Sequence, residues 1–174
     1  MSNRTCKAII CAMTPTFKTI ALIGKYKSPE IGAALLRLAS YLQERGCQVL
    51  VARHTGEIIG NTTFPMADLS EIGARADLAI VLGGDGTMLG IACALGAYSV
   101  PLVGVNQGRL GFLADVLAGS MLETVGAILN GKFVAEERLM LTITIWRAGA
   151  SIFEACAFND VVVSKTSTDR KSVV

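Results

Sequence analysis

The sequence lacks the features that mark most metal, nucleic-acid and membrane proteins. His54 is the single histidine and none of the five cysteines forms a Cys-x-x-Cys pair, which argues against a zinc site of the usual spacing. The net charge is only +2 and the 16 basic residues are spread along the chain, so no basic stripe for nucleic acid is visible. No apolar run approaches the ~20 residues needed to cross a bilayer. We therefore expect no nucleic-acid partner, no membrane partner and no protein-bound metal.

The cysteine count is odd, and the spacing shows no disulfide framework. Cysteines of cytosolic proteins are kept reduced, and free cysteines are usually buried. The apolar stretch 8–13, which follows Arg4 and Lys7, is shorter than a typical signal-peptide core and lacks a convincing cleavage site. We therefore predict a cytoplasmic location and reduced, mostly buried cysteines.

Apolar runs alternate with helical patterns over the first three quarters of the chain, and 52% of all residues are hydrophobic. Strands are predicted at 19–24, 48–52, 77–82 and 100–105, and helices at 28–46, 66–76, 87–97 and 117–129. Ser28-Pro29-Glu30 is a helix start signal, Gly46 and Asn130-Gly131 are stop signals, and the polar stretch 54–65 predicts a loop. This alternation predicts an α/β fold with a Rossmann-like parallel sheet covered by helices.

The pattern changes after Gly131. Leu139, Leu141, Ile143 and Ile145 alternate with other residues, and two more strand-like runs follow between residues 152 and 165 without a helix between them. We predict an α/β nucleotide-binding domain at 1–131 and, at 132–174, the start of an antiparallel β domain. Because two or three strands bury too little apolar surface on their own, we expect that β domain to be incomplete.

The strongest chemical signal is the turn Gly83-Gly84-Asp85-Gly86-Thr87 between a predicted strand and helix. Glycines let the backbone approach a ligand closely, and the helix start offers N–H groups to an anion. A carboxylate beside a phosphate site can accept a hydroxyl proton or hold Mg²⁺. Taken alone, the turn favours a plain helix cap, and it matches neither the GxGxxG nor the Walker pattern.

Two further segments carry polar groups, one after a predicted strand and one at the start of a predicted strand. GVNQGRLGFL at 104–113 offers the amide of Asn106, glycines for tight turns and the ring of Phe112, which could pack on a purine or sit in the core. Phe158-Asn159-Asp160 places an amide and a carboxylate before three valines. That pair could grip a ribose diol or an adenine amine, although an ordinary turn before a strand fits the local pattern better.

In this order and spacing, GGDGT, GVNQGRLGFL and FNDVVV after an ERLML strand resemble the NAD kinase family, over residues 17–170. The resemblance implies ATP-dependent phosphorylation of the adenosine-ribose 2′-hydroxyl of NAD to give NADP, with ATP, NAD and Mg²⁺ as cofactors. GGDG is shared with diacylglycerol and sphingosine-type lipid kinases and with phosphofructokinases, so a lipid kinase is the alternative enzyme. The Asn-Gln-Gly and Asn-Asp segments argue against it.

The resemblance also implies residue roles. Asp85 is then the proton acceptor, Phe112 lines the nucleotide pocket, and Arg170 contacts the ligand. The aspartate of GGDG and its neighbouring glycines lie against the nucleotide, and the Asn-Asp pair binds NAD. The predicted binding residues are Gly84, Asp85, Gly86, Asn106, Phe112, Asn159, Asp160 and Arg170.

The chain also departs from the family pattern. Some relatives carry a basic residue where Gly90 stands here, and the Gly-Ser-Thr-Ala-Tyr segment that completes the nucleotide site in the family is absent. The second alternative is therefore a truncated, inactive nucleotide-binding fragment. We expect weak or no activity from this chain alone, and a small-molecule enzyme that forms homo-oligomers if the chain is complete.

Overall fold

A computed structural model describes residues 17–25, 31–60, 63–106, 108, 111–114, 116–158, 160–164 and 172–173. Three predicted features lie outside the described residues: Asn159, Arg170 and the helix start at Ser28-Pro29-Glu30. In the part of the chain that is described, no helix is both long and apolar enough to cross a membrane.

Six strands form one parallel sheet in the order β3-β2-β1-β4-β5-β6. The central strands are apolar on both faces, as expected for a sheet that helices cover on each side. Ile20 and Leu22 face one hydrophobic cluster, whereas Ala21 and Ile23 face the other. The strands are β1 (Thr19–Gly24), β2 (Gln48–Ala52), β3 (Met66–Ala67), β4 (Leu78–Leu82), β5 (Leu102–Asn106) and β6 (Val116–Leu117).

Within the described residues, five helices accompany the sheet, and they confirm the predicted α/β fold. Leu35 and Val125, from the first and fifth helices, pack in one cluster, whereas Ile72 and Leu95, from the third and fourth, pack in the other. The helices are α1 (Gly32–Glu44), α2 (Arg53–Ile58), α3 (Leu69–Arg75), α4 (Asp85–Leu95) and α5 (Met121–Leu129), the last preceded by a 3₁₀ turn at Ala118–Ser120. Gly46 and Gly131 follow α1 and α5 with positive φ angles of 79° and 76°, as their predicted stop signals require.

The prediction of a loop at 54–65 is wrong in its first part, because α2 occupies residues 53–58. The short helix forms where Thr55 is buried against the end of β1. The Thr55 hydroxyl accepts a hydrogen bond from the Gly24 N–H at 2.9 Å and donates one to the Gly24 carbonyl at 3.5 Å. This tertiary contact has no signature in the local sequence pattern.

The antiparallel region is confirmed as a hairpin of β7 (Met140–Arg147) and β8 (Ala150–Phe158). Its turn places Ala148 and Gly149 at φ angles of 49° and 79°, as tight hairpin turns require. A second antiparallel pair joins β9 (Val163–Ser164) to β10 (Ser172–Val173). The division into domains at 1–131 and 132–174 stays a prediction.

The prediction of reduced cysteines is wrong for Cys93 and Cys156, and the prediction that the cysteines are mostly buried is wrong for the three that the structure describes. A disulfide joins Cys93 on α4 to Cys156 on β8, with the two Cα atoms 5.9 Å apart. Cys47 is a free thiol that is only half-buried, while Cys156 is exposed. The paired residues are 63 positions apart, so the sequence alone did not reveal their contact.

Asp77 connects the amino ends of the two central strands. Its carboxylate accepts hydrogen bonds from the N–H groups of Lys18 and Thr19 at 2.9 and 2.8 Å, and its own N–H donates to the Thr19 carbonyl. We expect Asp77→Ala to lower the free energy of unfolding by about 1–2 kcal/mol, because two backbone donors lose a charged acceptor. Asp77→Asn keeps an acceptor and should cost clearly less. Urea unfolding of both variants tests this, and equal losses would contradict it.

Candidate functional site

The Gly83-Gly84-Asp85 turn lies at the carboxyl edge of the sheet, where the chain changes direction. β1 leads on to β2 on one side, whereas β4 leads on to β5 on the other, so the crevice between β1 and β4 is a topological switch point. A Cβ atom added at Gly83 would lie 2.7 Å from the Thr87 hydroxyl, so the turn has room for glycine only. At Gly84 and Gly86 an added Cβ would meet nothing within 4 Å, so their backbone faces open space.

The carboxylate of Asp85 is held by the loop that follows β5. Its Oδ2 accepts a hydrogen bond from the Phe112 N–H at 2.8 Å, and its Oδ1 accepts bonds from the N–H groups of Leu113 and Ala114 at 3.0 and 3.1 Å. Asp85 is the first residue of α4, and Gly84 before it makes no side-chain cap. The alternative of a plain helix cap is therefore wrong, since the carboxylate bonds a second loop.

These bonds fix the charge of the carboxylate. The N–H groups of Phe112 and Leu113 have the largest effects and hold the pKa of Asp85 below its usual range; burial opposes them, and the Ala114 N–H adds the smallest lowering effect. Hydrogen bonds donated to the ionised form stabilise it over the protonated form. Asp85 is therefore an anion throughout the neutral range, with lone-pair capacity left on Oδ2.

The lowered pKa predicts how the loop responds to acid. Because the folded-state pKa is depressed, the contribution of the carboxylate is present above the unfolded-state value of about 3.9 and is lost as the pH falls through the folded-state pKa. We expect the amide chemical shifts of Phe112, Leu113 and Ala114 to stay constant from neutral pH down to about 4 and to change only below that. NMR titration measures this, with Asp85→Asn as the control that should remove the transition. A midpoint at or above the usual aspartate value would contradict the assignment.

Two glycines allow the loop to come this close. A Cβ atom at Gly111 would fall on the Asp85 carboxyl group, with Oδ2 only 2.6 Å away. At Gly104 on β5, a Cβ would lie 2.7 Å from the Cα of Ala114. The sequence indicated a tight path at Gly111, but it did not indicate that the N–H groups of Leu113 and Ala114 face Asp85.

Phe112 and Asn106 lie in the same loop region. The Phe112 side chain is 94% exposed, so the alternative that places this ring in the core is wrong. The exposed ring is available to contact a ligand, and its backbone N–H bonds the Asp85 carboxylate. The Asn106 Oδ1 accepts a hydrogen bond from the Gly108 N–H at 3.0 Å, which shapes the start of the loop.

The third predicted segment is only partly placed. Asp160 is exposed just after β8, with its N–H donating to the Phe158 carbonyl at 3.1 Å. Between the described residues, no hydrogen bond or ion pair joins Asp160 to Asp85 or to its loop. Asn159 and Arg170 lie outside the described residues. The structure thus brings together Gly84, Asp85, Gly86 and Phe112, with Asn106 at the base of the loop.

Comparison with known proteins gives a consistent result. A family model described as the ATP-NAD kinase N-terminal domain matches residues 20–133. The NAD kinase of Nitrosomonas europaea is 56% identical over 149 residues, which is 86% of this chain and 50% of that protein. The NAD kinase of Aromatoleum aromaticum is 48% identical over 159 residues, or 91% of this chain and 53% of that protein.

A solved structure shares the fold. The crystal structure of yeast NADH kinase complexed with NADH superposes with a TM-score of 0.64 at 19% identity, over 83% of this chain and 47% of that one. This chain spans about half the length of the curated relatives it matches. The family model covers most of the chain, including the Asp85 turn and the Phe112 loop. The chain belongs to the NAD kinase family.

Proposed function

We propose that this chain carries the catalytic part of an NAD kinase, a phosphotransferase with an alcohol group as acceptor. ATP would donate its terminal phosphoryl group to the adenosine-ribose 2′-hydroxyl of NAD, which gives NADP. The observation that carries the proposal is the Asp85 carboxylate, fixed by three backbone N–H groups next to the exposed ring of Phe112. Relatives of which this chain covers about half are NAD kinases, which supports the substrate assignment.

In this proposal Asp85 orients the acceptor hydroxyl. Its remaining lone pair on Oδ2 can accept the hydroxyl hydrogen, while the three N–H bonds keep the carboxylate from rotating away. The lowered pKa makes Asp85 a weak base, so it would take the proton late, once the oxygen has begun to bond phosphorus and has become acidic. In phosphoryl transfer such positioning contributes more than covalent chemistry by the protein.

The exposed ring of Phe112 offers a flat face for the adenine. Because the Phe112 N–H bonds Asp85 directly, the backbone that carries the ring is fixed next to the carboxylate. A base stacked on the ring would then present its own ribose toward Asp85. The open backbone at Gly84 and Gly86 leaves room for the ribose or a phosphate to approach the start of α4. Asn106, Asn159, Asp160 and Arg170 stay proposed ligand contacts.

Mg²⁺ fits this site as an ion brought in with the phosphates of ATP. Among the described residues no group of three His, Cys, Asp or Glu side chains could hold a metal by itself. Mg²⁺ is commonly bound by one or two carboxylates together with substrate phosphates, and Asp85 supplies one carboxylate here. When bound, the ion would neutralise charge on the transferred phosphoryl group. We also propose a cytoplasmic location and a homo-oligomer for the whole protein.

The proposal is tested by following label from γ-³²P-ATP. The purified chain, at high concentration and with Mg²⁺, is given NAD in one reaction and diacylglycerol in another. We expect slow labelling of a product that migrates with NADP, absent in Asp85→Asn, and saturable binding of NAD by calorimetry. Label in the lipid would support the lipid-kinase alternative. If the chain neither binds NAD nor transfers label to it, the proposal is overturned.

Phe112→Ala should weaken NAD binding without changing the stability of the fold. Stacking of a base on an aromatic ring contributes about 1–3 kcal/mol, so we expect the Kd for NAD to rise at least about fivefold. Because the ring is 94% exposed, the urea midpoint should not change. Calorimetry measures the Kd for NAD, and urea unfolding measures the midpoint. Phe133→Ala is the matched control, since this ring packs against Phe17 at a centroid distance of 5.9 Å. Unchanged NAD affinity in Phe112→Ala would contradict the role of the ring.

A further inference from the structure

The disulfide between Cys93 and Cys156 connects two parts of the fold, the helical layer on the parallel sheet and the antiparallel hairpin. Cys93 lies on α4, which covers the parallel sheet, and Cys156 lies on β8 of the hairpin. α4 and β8 are packed against each other, but most hairpin side chains are exposed. The Trp146 side chain, for example, is 66% exposed.

The packing around this cross-link is incomplete. A cavity of about 440 Å³ lies beside α4 and the hairpin, lined in part by Met88 and Gly96 on the helix and by Met140 and Phe158 on the hairpin. The cavity interrupts the non-covalent contact between the helix and the hairpin. The covalent bond is therefore a direct constraint on the position of the hairpin relative to α4.

Each cysteine of the disulfide lies on an element, α4 or β8, that leads towards the proposed NAD site. Asp85 begins α4, and Cys93 lies eight residues further along the same helix, which is about 12 Å. Cys156 lies two residues before Phe158, where β8 ends, and Phe158 lines the same cavity as Phe112. The disulfide thus fixes β8 relative to the helix that begins at the Asp85 carboxylate.

The bond is also open to exchange. Cys156 is exposed and Cys93 is half-buried, so a small thiol or disulfide can reach the sulfur atoms. With a low-molecular-weight disulfide RSSR, one cysteine thiolate attacks RSSR and releases RSH, and the second cysteine then displaces the other RSH. Two electrons pass from the cysteine sulfurs to RSSR, and both thiol protons end on the released RSH or in solvent. A small dithiol reverses the reaction.

We propose that Cys93 and Cys156 form a thiol–disulfide switch that controls NAD affinity by fixing the hairpin against α4. The inference rests on the proposed function, because it concerns binding of NAD at the same site. In the oxidised chain the hairpin stays docked against α4, and Phe158 at the end of β8 keeps its place in the cavity that Phe112 also lines. In the reduced chain the hairpin moves more freely, and NAD must order it on binding. We expect about tenfold weaker NAD binding after reduction, as for the loss of a tether between two binding elements.

The test compares the whole chain oxidised with glutathione disulfide and reduced with dithiothreitol. Peptide mapping by mass spectrometry identifies the cross-linked pair, calorimetry gives the Kd for NAD, and hydrogen exchange reports on residues 140–158. Cys93→Ser and Cys156→Ser should bind NAD with the weaker affinity under both conditions. Cys47→Ser is the matched control, because this free thiol lies outside the pair and should leave the response to oxidation intact.

Each outcome has a defined meaning. A mapped Cys93–Cys156 bond, slower exchange of the hairpin and tighter NAD binding after oxidation support the switch. Oxidation that forms no such bond, or forms it with an unchanged Kd, overturns the switch while the proposed function stands. Absence of NAD binding in both states is instead the failure of the proposed function, and the switch in NAD affinity is overturned with it.

Discussion

Asp85→Asn is expected to lower the rate of label transfer from ATP to NAD by at least about 100-fold, the lower end of the range for losing a proton-accepting group. The substitution removes the negative charge that the acceptor hydroxyl would meet. It also places an amide in a position where all three neighbours are N–H donors, so the amide nitrogen has no acceptor there. Transfer is measured with the chain in excess over label, so that a slow first turnover is visible.

Asp68→Asn is the matched control for Asp85→Asn. Asp68 is an exposed aspartate that pairs with Arg53 at 2.9 Å, and its loss should leave transfer within about twofold of the wild type, since exposed ion pairs contribute little. A transfer rate for Asp85→Asn equal to that of the control would contradict the role of Asp85. The amide spectrum of residues 112–114 shows whether the loop has also moved.

Gly111→Ala is expected to weaken NAD binding at least about tenfold while Asp85 itself is unchanged, a loss of about 1.4 kcal/mol. The new methyl group would occupy the position of the Asp85 carboxyl group, whose Oδ2 lies 2.6 Å from the ideal Cβ. Either the carboxylate or the loop must move, and both movements separate Asp85 from its three donors. Calorimetry measures the NAD affinity, and loss of the low-pH transition in the amide shifts reports the separation.

Gly119→Ala provides the control for adding a methyl group elsewhere. An added Cβ at Gly119 would meet nothing within 4 Å, so NAD binding should remain as in the wild type. If Gly111→Ala bound NAD as tightly as Gly119→Ala, then the close contact between Gly111 and Asp85 would not matter for the ligand. The proposed dependence of NAD binding on the contact between the Asp85 turn and the Phe112 loop would then be wrong.

The sequence predicted those parts of the fold that local patterns determine. The runs that became β1, β2 and β4 are apolar on both faces, and such runs between helical patterns are typical of a covered parallel sheet. The Gly-Asp-Gly turn was placed correctly, because a strand that runs directly into glycines and then a helix has few alternatives. The sequence did not decide whether the Phe112 ring is exposed or lies in the core, since exposure depends on what surrounds the loop.

Contacts between distant residues could not be predicted in the same way. Asp85 and the N–H groups of residues 112–114 are 27 to 29 positions apart. Because nearly all residues carry the same backbone N–H, the sequence does not mark which of them will donate to a distant side chain. The Cys93–Cys156 pair and the burial of Thr55 depend on packing between elements in the same way. The resemblance to NAD kinases suggested candidate site residues, but it did not show that the Phe112 N–H bonds the Asp85 carboxylate.

An intermolecular NOE experiment on the oxidised chain with NAD tests the central claim most directly. The claim is that the adenine stacks on Phe112 with its ribose facing the Asp85 carboxylate. We predict NOEs from the Phe112 ring to adenine protons, together with shifts of the Gly86 amide that disappear in Phe112→Ala. NAD that binds with saturable affinity but shows its NOEs to protons away from Phe112 and Gly86 would contradict the account.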